Sequence, residues 1–317
     1  MTNNLSAARP QPPAPAPGSL AAWWQASRPQ SLTATTTPLA VGIALAALKG
    51  VFEPGWALLT LLAALLLQVG TNMVNEYYDH KRGVDANSQH SLSQVIRRGL
   101  LTPEAIRRGA VVCFVLGALL GVVLALHGGP LIWALGLLGI LIGVFYTAGP
   151  FPLAYLGLGE VGVFVAMGPG LVLGTYIVQT GGWSAEAILA GVPIGLLSAA
   201  ILHANNLRDI ETDRLEHKRT LAARFGRAFA RREYAALVFG TYAALAALAL
   251  LDAPLALGGL GTLLTLPAAA RLTRLAYSTE DPGLLNQLVR GTAALHGQFG
   301  LLWAVGLAVL LAARAFL

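Results

Sequence analysis

The chain has 317 residues, of which 56% are hydrophobic and only 11% charged, with a mean hydropathy of +0.65. Soluble domains carry about 25% charged residues, so this composition excludes an ordinary soluble domain and places the chain among membrane proteins. The net charge of +6 would suit nucleic-acid binding, but the placement of the cations gives it another cause. The single cysteine, Cys113, excludes an intrachain disulfide.

Residues 1–20, rich in Pro and Ala around Pro10–Pro17, predict a disordered tail without the apolar core of a cleaved signal. Residues 21–317 read as one membrane domain, entered through an interfacial anchor at Trp23 and Trp24. A helical span needs about 20 mostly apolar residues. That length predicts nine spans, at 30–48, 56–76, 106–127, 130–148, 158–180, 185–207, 233–251, 254–273 and 294–316. The runs are too long for barrel strands and lack period-two alternation. The expected fold is therefore all-α, a polytopic bundle of nine transmembrane helices.

The segments before the first span and after the second, fourth, sixth and eighth share one side. They hold every Lys and Arg except Lys49 and Arg314. Basic loops stay in the cytoplasm, so the charge is accounted for by a lipid bilayer and no nucleic acid is expected. The chain is predicted to be a multi-pass protein of the cell inner (plasma) membrane. Its functional face, which carries both polar boxes, is expected to face the cytoplasm.

The second span closes on Asn75-Glu76-Tyr77-Tyr78-Asp79-His80-Lys81-Arg82-Gly83-Val84-Asp85. The sixth closes on Asn205-Asn206-Leu207-Arg208-Asp209-Ile210-Glu211-Thr212-Asp213. Residues four apart share a helix face, so Asn75 pairs with Asp79, and Asn205 with Asp209 and Asp213. Four spans separate the boxes, a pattern expected from duplication of a four-helix unit. An aspartate at mid-bilayer costs about 2.5–3.5 kcal/mol, and ionisable groups within spans mark function.

Two carboxylate faces without a His/Cys cluster point to a hard divalent cation. Mg²⁺ takes oxygen ligands and commonly bridges carboxylates to substrate phosphates. Lys81, Arg82, Arg208, Lys218 and Arg219 flank the boxes and suit a diphosphate. Metal and cations around a diphosphate ester favour its departure. Loss of diphosphate from an allylic prenyl chain leaves a cation that needs a dry cavity and aromatic faces. Tyr146, Tyr155, Phe145 and Phe151 stand near a third segment and are candidates to supply them.

Asn75-x-x-x-Asp79-x-x-x-x-x-Asp85 and Asn205-Asn206-x-Arg208-Asp209-x-x-x-Asp213 resemble the two Asp-rich motifs of the UbiA superfamily of intramembrane prenyltransferases. The likeness extends over about residues 20–316. Ser27-Arg28-Pro29-Gln30-Ser31, Tyr146-Thr147-Ala148-Gly149-Pro150, Gly157-Leu158-Gly159-Glu160 and Lys218-Arg219-Thr220-Leu221 resemble the branch that prenylates 1,4-dihydroxy-2-naphthoate on the way to menaquinone. This resemblance implies nine transmembrane helices, Mg²⁺, a polyprenyl diphosphate donor and an acceptor that loses CO2 to give demethylmenaquinol. It implies that Asn75, Asp79, Asp209 and Asp213 hold metal and diphosphate, with Asp85 and Asn205 as further or supporting ligands. It makes Lys218 and Arg28 candidates for the diphosphate or the acceptor carboxylate.

Other acceptors of the same superfamily remain as alternatives: 4-hydroxybenzoate, homogentisate, a chlorophyllide or a porphyrin. An ion-coupled transporter also suits intramembrane carboxylates, but transport would place them near the midplane rather than at one end of the spans.

Overall fold

Inside a bilayer every backbone polar group must find its partner within the protein, and an apolar run of span length meets that demand as a helix. The computed structural model describes residues 15–83, 94–150 and 152–314, and among these every regular element is a helix and none is a strand. The helices are α1 (Leu20–Ala26), α2 (Thr33–Leu48), α3 (Pro54–Lys81), α4 (Pro103–Gly128), α5 (Pro130–Phe145), α6 (Leu153–Leu156), α7 (Gly159–Val165), α8 (Leu171–Thr180), α9 (Ala185–Arg208), α10 (Ile210–Leu215), α11 (Leu221–Phe225), α12 (Arg227–Leu248), α13 (Ala253–Gly258), α14 (Leu266–Ser278) and α15 (Pro282–Arg314).

Among the described residues, seven helical segments are long and apolar enough to cross a membrane. Three of them are compound: Pro29–Leu48 joins a 3-10 turn at Pro29–Ser31 to α2, Gly159–Thr180 joins α7 to α8, and Ala253–Ser278 joins α13 to α14. The shorter apolar α5 and the more polar α12 fill the two remaining positions of the expected nine.

Helix α9 is the centre of the bundle. Its apolar window is 72% buried, against 22% for α4, whose Val111, Val115, Leu119 and Val122 point outward as a lipid-facing stripe. The compound span α7–α8 bends at Gly168, where φ −99° and ψ −105° leave the helical region and Pro169 follows. Kinks of this kind arise at Pro and Gly. The bend rests directly on α9: a Cβ at Gly191 would stand 2.4 Å from Pro169 Cα.

At one end of the bundle, Glu53 and Gln179 exchange backbone–side-chain hydrogen bonds of 2.8 and 3.1 Å, and the Trp56 and His127 rings stack at 3.7 Å. At the other end, α1 packs Ala22 and Ala26 on Ile96, Leu100, Leu101 and Ile106. There Trp24 is exposed, as an interfacial anchor requires, while Trp23 packs against Gly109. Most of the expected tail, residues 1–14, lies outside the described residues, as do Asp85 and Phe151.

Candidate active site

Helix α3 carries the first box to its C-terminus, so Asn75 and Asp79 stand one turn apart on its inner face. The second box spans a break. Helix α9 ends at Arg208, Asp209 departs to φ −96° and ψ 11°, and α10 resumes. The i→i−4 ladder nevertheless continues, from Asp209 N–H to the Asn205 carbonyl at 2.9 Å and from Asp213 N–H to the Asp209 carbonyl at 2.8 Å. Asn205, Asp209 and Asp213 therefore keep a common face.

Both faces line one cavity of about 820 Å³. Its polar end is built from Arg28, Asn75, Asp79, Asp209, Asp213 and Lys218, and its walls from Ala63, Leu124, Ile132, Leu135, Leu173 and Val178. Along α3 the lining runs from Thr60 to Asp79, about 28 Å at 1.5 Å per residue. One charged end and one long apolar body match a polyprenyl diphosphate in shape and polarity.

The side chains at the polar end are held by one another. Asn75 Oδ1 accepts a hydrogen bond from Thr147 Oγ1 at 2.8 Å. Arg208, buried, donates to Asp209 from Nε (2.7 Å) and Nη2 (2.5 Å), and to Asn286 Oδ1 from Nη1 (2.7 Å). Asp213 accepts from Thr220 Oγ1 at 3.1 Å, and Lys218 Nζ lies 3.4 Å from its Oδ1. Burial pushes the Asp213 carboxyl up to about 6 against the pull of Lys218. Burial alone would lower the Lys218 ammonium, but Asp213, Asp79, Tyr146 and Asp209 together raise it.

Asp79 Oδ1 differs from these: it is buried and has no hydrogen-bond partner. An ionised acceptor left so is costly, and a cation satisfies it. The donors at this end are carboxylate and amide oxygens, the set a hard cation such as Mg²⁺ takes. Asn205 turns its amide nitrogen to the Ile201 carbonyl at 3.1 Å, which makes its oxygen the atom available to a ligand.

Arg28 also reaches the cavity. Its backbone is left-handed at φ 53°, and Nη2 donates to Glu76 Oε2 at 3.2 Å. Glu76 Oε1 accepts from Ile96 N–H at 3.4 Å. Glu76 thus ties the first box to the α1 side of the bundle. Asn72 ties the same region, donating to the Ser27 carbonyl at 2.8 Å and to Ser31 Oγ at 2.9 Å.

Three expected site residues stand outside the cavity. Lys81 is exposed, with its ammonium 5.9 Å from the Tyr78 ring centroid. Arg219 is exposed and lines a shallow hollow with Arg214 and His217. The Tyr155 ring is covered by the Arg82 guanidinium, 4.5 Å from its centroid, with Lys218 at 6.0 Å. Of the aromatic candidates, Tyr146 alone among the described residues lines the cavity, and Phe145 is exposed.

Glu160 and His203 prove to be partners. His203 Nδ1 lies 3.1 Å from Glu160 Oε1 and 3.6 Å from Glu233 Oε2, its Nε2 donates to the Ala230 carbonyl at 2.8 Å, and Asn206 Nδ2 donates to Glu160 at 2.8 Å. This network fixes α9 to α7 and α12 behind the second box. Thr147, Asn286, Glu76 and Glu216 were not legible as site residues, because each acquires its role through a partner distant in sequence or through an irregular turn.

The model of the UbiA prenyltransferase family matches residues 35–289. A 1,4-dihydroxy-2-naphthoate octaprenyltransferase of Escherichia coli is 34% identical, over 90% of this chain and 94% of that protein. One of Mycobacterium tuberculosis is 39% identical, over 69% of this chain and 75% of that protein. Among solved structures, a UbiA homologue of Archaeoglobus fulgidus bound to GPP and Mg²⁺ superposes with a TM-score of 0.67 at 16% identity, covering 92% of this chain and 99% of that one.

Proposed function

The chain belongs to the UbiA prenyltransferase family, and from that premise we propose that it moves a polyprenyl group from its diphosphate to 1,4-dihydroxy-2-naphthoate. The observation that carries the reading is the convergence of both carboxylate faces and Lys218 at the polar end of one long apolar cavity. The acceptor is supported by the relatives in Escherichia coli and Mycobacterium tuberculosis that bear that name.

Asn75, Asp79, Asn205, Asp209 and Asp213 would hold Mg²⁺ and, through it, the diphosphate. The bound ion supplies charge neutralisation for the leaving diphosphate. Lys218 adds a fixed positive charge at the same end, and Arg208 keeps the Asp209 carboxylate aimed. The prenyl carbon–oxygen bond breaks and its electron pair leaves with the diphosphate. The acceptor carbon that bears the carboxylate gives the pair for the new carbon–carbon bond. The carboxylate departs as CO2, and its bonding pair restores the aromatic ring, so no base need remove a proton from that carbon. Apolar walls would keep water from the allylic cation, and the Tyr146 ring, which lines the cavity, would face it. Arg28 is the cation available to the acceptor carboxylate.

The box end faces the cytoplasm of the plasma membrane in this reading, supported by the distribution of Lys and Arg.

The test uses purified protein in lipid with octaprenyl diphosphate and 1,4-dihydroxy-2-naphthoate, with and without Mg²⁺, following prenylated product and CO2 together. Both products should appear only with Mg²⁺. Product with 4-hydroxybenzoate, homogentisate, a chlorophyllide or a porphyrin but none with the naphthoate would keep the reaction class and overturn the acceptor.

A further inference from the structure

Beyond the two boxes the chain forms a turn that brings one more carboxylate to the cavity. Helix α10 ends in a Schellman arrangement: Lys218 N–H bonds to the Asp213 carbonyl at 2.8 Å and His217 N–H to the Arg214 carbonyl at 3.2 Å. The reversing residue is His217, left-handed at φ 55°. Because the chain reverses there, Glu216 and Lys218 flank the reversal and both reach the cavity.

The partners of the cavity carboxylates divide them into two groups. Asp209 is engaged by Arg208, and Asp213 by Lys218 and Thr220. Asp79 Oδ1 and both oxygens of Glu216 are buried with no hydrogen-bond partner, and among the described residues no ion pair reaches Glu216. A buried carboxylate without a partner is unstable unless something cationic meets it. Burial disfavours the Glu216 charge most; Lys218 attracts it, and the surrounding acids Asp213, Asp79 and Asp209 repel it.

We propose that Glu216 is a further ligand of the divalent cation at the diphosphate end, acting with Asp79 from the opposite wall. The inference rests on the metal–diphosphate reading above and adds to it a carboxylate outside both Asp-rich boxes. One or two carboxylates are the number a Mg²⁺ site commonly recruits from protein, with water and phosphate oxygens completing the shell, and Asp79 Oδ1 and the two Glu216 oxygens are the unpartnered buried atoms that would meet it.

The experiment titrates Mn²⁺ alone into the full-length protein in lipid nanodiscs and reads free Mn²⁺ by electron paramagnetic resonance, alongside the thermal unfolding midpoint without metal. Wild type, Glu216→Gln, Glu216→Asp and Asp79→Asn are compared. Glu216→Gln should weaken Mn²⁺ binding at least tenfold, Glu216→Asp should recover part of it, and the metal-free midpoint of Glu216→Gln should not fall. Wild-type affinity in Glu216→Gln with impaired Asp79→Asn would overturn the role of Glu216 and leave the boxes standing. A lowered metal-free midpoint with parallel loss of Mn²⁺ would show Glu216 to be structural and overturn the proposal. No Mn²⁺ binding by wild type, or binding indifferent to Asp79→Asn, would overturn the site as a whole.

Discussion

Asp79 and Asp209 occupy equivalent places in the two boxes but differ in their supports. Asp79 has a buried oxygen without a partner, whereas Asp209 neutralises the buried Arg208. Changing either to Asn should lower turnover by about 10²-fold or more, the scale for losing a principal electrostatic contact in a reaction of this kind. Their stabilities should diverge. Asp209→Asn leaves Arg208 uncompensated and should cost about 3 kcal/mol, while Asp79→Asn should leave the metal-free unfolding midpoint unchanged or higher. Equal destabilisation by the two changes would contradict the pairing. Thr147→Val removes the donor that orients Asn75; at about 1 kcal/mol for such a bond, the KM for prenyl diphosphate should rise roughly fivefold with little change in protein yield. The acidic pairs were legible in the sequence because i,i+4 spacing defines a helix face. Their partners were not: Thr147 bonds to Asn75 across 72 residues and Asn286 to Arg208 across 78, distances to which no local pattern extends.

Among the elements, the break between α7 and α8 and the turn after α10 decide where side chains meet the cavity. The first depends on Gly191, whose missing Cβ admits Pro169. Gly191→Ala would press on backbone atoms that cannot rotate away. It should cost about 1–3 kcal/mol, read as a lower unfolding midpoint in detergent and a heat-labile activity. The second depends on His217. A β-branched residue tolerates φ 55° poorly, so His217→Val should cost about 1–2 kcal/mol, whereas His217→Gly should cost none. Equal midpoints for Val and Gly would refute the left-handed turn. Gly168-Pro169-Gly170 carries a sequence signal for the first break, because Pro and Gly interrupt helices, but the turn at His217 carries none, since nothing in a His announces a left-handed backbone. Helix α15 begins at Pro282 rather than near 294, because its first turns, with Asn286 and Arg290, fall outside an apolar-length criterion, yet Leu285, Leu288 and Val289 there are buried and Asn286 bonds to Arg208.

At the scale of the whole molecule, span length is fixed by bilayer thickness, and among the described residues each of the nine expected runs overlaps a helix or compound helix. The convergence of the boxes was legible only in part. Both close even-numbered spans and so share one end, but the depth of the cavity between them depends on the packing of α9 against its neighbours. A reporter fused after Gly83 should read cytoplasmic and one fused at Gly181 exterior, and the reverse would overturn the charge argument. The central claim is that both carboxylate faces grasp one diphosphate through a divalent cation. It is tested most directly by equilibrium binding of a non-hydrolysable polyprenyl thiodiphosphate to the protein in nanodiscs, with and without Mg²⁺, in wild type, Asp79→Asn and Asp213→Asn. Binding should require Mg²⁺ and should weaken at least tenfold in each variant. Tight binding without Mg²⁺, or loss confined to one of the two faces, would contradict a shared site.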